Sequence, residues 1–172
     1  MASMIEVSDA GERLAFTFED LMRYHGPGSP GGVAHAFKVM ERALALLAPE
    51  GPPERREIVV ETAFAGPGAR DAFELVTRAV TGERYHLRPE LALPERGLAR
   101  ERFVFRLRHR EREVTLAVRE EFVTDEFITL ARAERDAAQE ARLTRLKREM
   151  AARVMKAQAS AVYEVIERPS GR

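Results

Sequence analysis

Apolar positions along this chain keep two rhythms, one helical and one extended, and the changes between them divide it into elements. Val33, Phe37, Met40, Leu44 and Leu47 recur every three or four residues, the period of a helix with one face on a core. Ser29-Pro30 ahead of them reads as an N-cap and first helical position, so the spacing predicts a helix over 29–48. A shorter helix precedes it: Thr17 caps, Glu19 and Asp20 sit in the first turn, and Phe18, Leu21 and Met22 face a core. A third helix is predicted over 69–80 on Phe73, Val76 and Val80, closed by Thr81-Gly82. Ile58-Val59-Val60-Glu61-Thr62 is a β-branched run of strand length, apolar enough for the interior of a sheet. Residues 102–108 and 113–119 alternate apolar and polar around a short polar link, the pattern of a β-hairpin with one buried and one charged face. Brief strands are expected at 14–16 and 85–88.

From Thr124 to Val165 neither Gly nor Pro interrupts the chain. Phe127, Ile128, Leu130 and Ala131 anchor the start, and Leu143, Leu146, Met150, Val154 and Ala161 the end, around a charged middle. The stretch reads as one long helix or two, and its thin apolar stripe calls for a partner helix, hence an expected homodimer. The class is α+β: a mixed or antiparallel sheet flanked by helices in a single domain, 1–172, with 124–165 as a helical C-terminal extension.

Two Gly/Pro corners carry the candidate chemistry. Tyr24-His25-Gly26-Pro27-Gly28-Ser29-Pro30-Gly31-Gly32 joins the first two helices, and Ala65-Gly66-Pro67-Gly68 follows the strand ending in Glu61-Thr62. Glycine and proline shape such a loop, and the helix behind it presents free N–H groups and a positive dipole end to an anion. The plain alternative is a tight connection between helices. If the corners meet over a shared hollow, the ligand-binding set is His25, Gly26, Gly28, Ser29, Gly31, Glu61, Asp71 and His86. His25 reads as a ligand contact or general base, or as a histidine hydrogen-bonded at helix ends. Ser29 lacks a nucleophile elbow and reads as a cap. Glu61 is a pocket carboxylate or a polar strand end, and Asp71 complements a helix dipole. His35 reads as a satisfied core histidine, and His109 as solvated at the hairpin tip.

Composition narrows the classes. The 28 basic and 28 acidic residues of the 172 cancel, so no overall field favours nucleic acid or an anionic membrane. The basic run Arg106, Arg108, Arg110 and Arg112 is answered by Glu111, Glu113, Glu120 and Glu121, without the interleaved aromatics of an RNA site. The absence of cysteine removes disulfides, thiol nucleophiles and thiolate metal sites. No apolar run reaches the ~18 residues of a membrane span, and residues 1–9 do not read as a signal peptide; the expected location is cytoplasmic. The sequence names no cofactor.

These separated pieces together resemble the FmdE family, which takes its name from a component of formylmethanofuran dehydrogenase. That family carries a helix, then His-Gly-His-x-Cys-Pro-Gly, then a helix; here the loop is His25-Gly26-Pro27-Gly28-Ser29-Pro30-Gly31. The strand ending in Glu61-Thr62, the Gly66-Pro67-Gly68 turn, Asp71, Thr81-Gly82, the hairpin and the ending Ala161-Val162-Tyr163-Glu164-Val165 match later family elements. The resemblance implies an α+β fold and, in members with the full motif, a metal, commonly zinc, held by its Cys and His groups. Here the second His falls on Pro27, the motif Cys on Ser29 and the second-turn Cys on or near Ala65. Of that ligand set His25 alone remains, too few for zinc, so no metal is expected. Three readings follow: an accessory protein binding a small anionic ligand or cofactor at the Gly/Pro loop; a metal-dependent or acid–base enzyme using His25, Glu61 and His86; or a non-catalytic structural partner subunit, docking through the 124–165 helix and its thin apolar stripe.

Overall fold

The computed structural model describes residues 2–167. Seven strands and six helices follow in chain order among them: β1 (Ile5–Asp9), β2 (Glu12–Phe16), α1 (Phe18–His25), α2 (Pro30–Leu47), β3 (Ile58–Thr62), α3 (Pro67–Thr77) and β4 (Tyr85–Leu87), then β5 (Val104–His109), β6 (Arg112–Val118), α4 (Asp125–Arg132), α5 (Ala137–Lys156), α6 (Ala159–Val162) and β7 (Tyr163–Ile166). The class is α+β, as expected. β1 and β2 form a separate hairpin; the main sheet runs β4-β3-β5-β6-β7, parallel between β3 and β4 and antiparallel elsewhere. β3 therefore lies inside the sheet, as its apolar run predicts.

Helix α2 is the centre of the molecule. Its expected stripe of Val33, Phe37, Met40, Leu44 and Leu47 is buried, and so are Ala34, His35, Ala36 and Val39 off that stripe. The sheet takes one side through β5, β6 and β7, α5 covers another, and α3 and α1 flank it. A helix apolar nearly all round must be enclosed in this way. Each large side chain so buried contributes about 1.5–3 kcal/mol, so this core outweighs exposed ion pairs such as Arg112–Glu50. On the far face of the sheet a smaller cluster forms where Leu91 and Leu93 cover Ala63, Val104 and Ala117.

The sequence expectations need correction in three places. β1 has no counterpart among them, although Ile5 and Val7 are buried and Glu6 exposed in strand alternation. Of the two alternatives left for the stretch 124–165, a division is what forms: α4 stops where the Arg135 guanidinium caps the carbonyls of Leu130, Ala131 and Ala133, and Asp136 with Gln139 forms a reciprocal cap that starts α5. Its last residues are strand β7, paired through Val118↔Tyr163, not helix. Nor is it an extension, for the stripe Leu143, Leu146, Met150 and Val154 is buried within the chain, with α2 as the main neighbour of α5. The partner that the stripe called for is α2.

The two Gly/Pro corners meet. Gly26, at φ +89°, ends α1 in a conformation that favours glycine. Pro30 and Pro67 occupy the first turns of α2 and α3, each followed by glycine, and the two helix ends abut. A Cβ on Gly68 would lie 2.5 Å from the Ser29 carbonyl oxygen and 3.1 Å from the Val33 nitrogen, both backbone atoms that cannot swing aside. Gly68→Ala is expected to destabilise the protein by about 1–3 kcal/mol in urea unfolding. Gly28→Ala, where a Cβ meets nothing within 4 Å, is expected to be near neutral. Equal effects would contradict the abutment.

Candidate functional site

Between these helix ends lies a cavity of about 350 Å³, near the lower end of small-molecule sites. Its floor is Ser29, Gly31 and Gly32 of the α2 start with Gly66, Pro67 and Gly68 of the α3 start. One wall is Phe64, Phe103, Leu98 and Ala99; the other is Phe127, Ile128 and Ala131 of α4. Arg102, Arg132 and Lys147 supply positive charge, and no carboxylate of the described residues lines the space.

The floor is rich in unused donors. Ser29 holds the N-cap position of α2, yet its side chain makes no cap hydrogen bond, contrary to the expected role. Its backbone explains this: φ −141° and ψ 61° lie outside the extended geometry in which a serine hydroxyl reaches back to the helix. Pro30 and Pro67 have no N–H. The first helical bonds run from Val33 N to Ser29 O and from Arg70 N to Gly66 O. The N–H groups of Gly31, Gly32 and Gly68 consequently have no acceptor among the described residues. Each helix end adds the equivalent of roughly half a positive charge. Lys147 Nζ donates to the Gly28 carbonyl at 3.1 Å, pinning the loop to α5. Arg132 lies 3.9 Å from Glu101, whereas the guanidinium of Arg102 is without a partner among the described residues.

Of the residues expected to gather at one site, Ser29 and Gly31 line this cavity and Gly28 anchors its lysine; His25, Gly26, Glu61, Asp71 and His86 are not in its walls. His25 Nδ1 is 2.8 Å from Asp71 Oδ2, a pair between the end of α1 and α3. α3 begins at Pro67, two residues earlier than expected, so Asp71 lies past the first turn and answers His25 rather than the dipole. Glu61 faces the opposite side of the sheet, because successive strand residues alternate and Val60 takes the helix side. There it pairs with Arg88 at 3.1 Å and Arg106 at 3.0 Å. Burial raises its pKa, but the two arginine hydrogen bonds outweigh burial and hold it below the ordinary glutamate value. His86 is in register with Glu61 on β4. The expected convergence of His25 with Glu61 and His86 therefore does not occur. Among the described residues no three His, Asp or Glu side chains are placed to share a metal ion.

A wider and more open hollow of about 610 Å³ lies at the hairpin tip, lined by Leu47, His109, Arg110 and Arg112 among others. Its Arg112 and Glu50 already neutralise each other. His109, expected in solvent, is 6% exposed; burial first, then the Arg110 charge, lowers its pKa. The residues that sequence reasoning missed are Phe64, Arg102, Phe127, Arg132 and Lys147, which come from four separate segments and share no local pattern.

No family model matches this chain, and no curated protein matches it. No helix among the described residues is long and apolar enough to cross a membrane.

His35 is the satisfied core histidine expected. Its Nε2 donates to the Phe122 carbonyl at 3.2 Å, which fixes Nδ1 as acceptor from the Tyr163 hydroxyl at 2.8 Å. Burial lowers its pKa from 6.5 to about 4, so the folded protein holds it neutral. Stability from this group is complete above pH 6.5 and is lost as pH falls towards 4, by on the order of 3 kcal/mol in all. Urea unfolding between pH 7 and 5 is expected to show a clearly shallower slope in His35→Gln than in the wild type, the remainder coming from His109. The same slope in both would contradict the assignment.

Proposed function

We propose that this chain is an FmdE-like accessory protein that binds a small anionic ligand or cofactor between the starts of α2 and α3, without the thiolate zinc site of that family. The observation that carries the reading is the composition of the cavity: unpaired backbone N–H groups at two helix N-termini and three cationic side chains, with no carboxylate in the lining among the described residues. A cavity of this kind sets like charges against one another, and an anion relieves them. The expectation of a ligand at the Gly/Pro loop is kept in this form, with Ser29 and Gly31 as contacts and His25 and Asp71 as a pair that fixes α1 to α3. A chain without cysteine fits the cytoplasm. Neither the homodimer nor the structural-partner reading keeps its first argument, since α2 covers the α5 stripe. The enzyme reading loses its constellation with Glu61 on the far face of the sheet.

The reading is tested by thermal shift with a panel of small acids and their matched amides. The acids are expected to raise the melting temperature and the amides to leave it unchanged, with the shift reduced in Lys147→Glu. Equal stabilisation by the amides, or none by any acid, would contradict it.

A further inference from the structure

We infer that the ligand of this cavity is a small aromatic carboxylate, a conclusion that rests on the anion reading above and narrows it. The wall beside the floor is built of rings. Phe64 is half-buried and stacks on Phe103, with centroids 4.3 Å apart and planes 26° apart. Phe103 is 1% exposed and backed in turn by the His35 ring at 4.8 Å, so Phe64 is held as a fixed flat surface. Phe127 enters from α4 on the other wall. A planar ring set against such side chains gains offset or edge contact, which adds to its area burial.

The polar end is sized for a carboxylate. Proline at the first position of both helices removes one N–H from each, which leaves Gly31 and Gly32 of α2 and Gly68 and Ala69 of α3 as donors, all but Ala69 lining the cavity. Of the three cations that line this cavity, Lys147 and Arg132 are engaged within the chain, while Arg102 is exposed at the mouth and its guanidinium has no partner among the described residues. A planar guanidinium with its fork of donors matches the two oxygens of a carboxylate. Phosphate brings more charge and a tighter hydration shell into a space walled mostly by apolar groups. The exposed Leu98, at 50%, stands where the cavity meets solvent and extends the apolar wall outward.

Isothermal titration of the full chain distinguishes the ligand classes, with benzoate, phenylacetate, cyclohexanecarboxylate and inorganic phosphate as probes. The two aromatic acids are expected to bind, cyclohexanecarboxylate to bind more weakly and phosphate not at all. Arg102→Gln removes a group without a partner and is expected to weaken benzoate by about tenfold or more, with the unliganded melting temperature unchanged. Phe64→Leu is expected to erase the preference for benzoate over cyclohexanecarboxylate. Binding of phosphate but of no aromatic acid, or equal binding of the aromatic and saturated acids to the wild type, overturns the aromatic carboxylate and leaves the anion site standing. Binding of none of the four overturns both.

Discussion

The contact on which the rest of this molecule depends is the abutment of two helix starts, with Gly68 of α3 set against the Ser29 carbonyl of α2. No side chain fits between them, since even a methyl group would lie 2.5 Å from that oxygen. The approach sets how α3 lies beside α2, and α2 in turn organises the sheet on one side and α5 on another. The corner that ends α1 and the corner that follows β3 are thereby brought to one place. They are far apart in sequence, and a single small residue permits their meeting.

That geometry carries an electrostatic consequence. Two positive helix ends point into one cavity, and Arg102, Arg132 and Lys147 share it without a carboxylate among the described residues. Some charges elsewhere are answered by a carboxylate: Glu61 pairs with two arginines, Asp9 with Arg55 and Arg56, and Glu126 with Arg142 in a two-pronged pair. Arg55 also caps the far end of α3 through the carbonyls of Leu75 and Val76. One end of α3 is closed by protein and the other is left to solvent or a ligand, which is the asymmetry expected of a helix that presents its N-terminus as a binding surface.

Much of the fold is written locally. The stripe of α2, the Thr17 cap, the β3 run and the alternation of β5 and β6 each lie within a short stretch of chain, and all are present. What escapes is set by tertiary context. The break before α5 comes from a reciprocal cap and an arginine, not from glycine or proline, and β7 becomes a strand because β6 offers it an edge. For the site, the sequence marks the floor and misses the walls. The corners at Ser29–Gly32 and Gly66–Gly68 are conspicuous, but Phe64, Arg102, Phe127 and Lys147 are ordinary residues until folding brings them together. Glu61 misleads for a simple reason: its place at a strand end is legible, but the face it takes depends on the register, which pairs it with Arg106.

The central claim is that the free N–H groups at the abutting helix starts bind an anion. Amide chemical shifts recorded during titration with benzoate test it residue by residue, because each glycine gives its own signal. The account predicts that the amides of Gly31, Gly32 and Gly68 move together, downfield and along one binding curve, while those of Glu61, Arg88 and Arg106 stay in place. A binding curve that leaves the three glycines unmoved and shifts amides on the far face of the sheet or at the hairpin tip would contradict it.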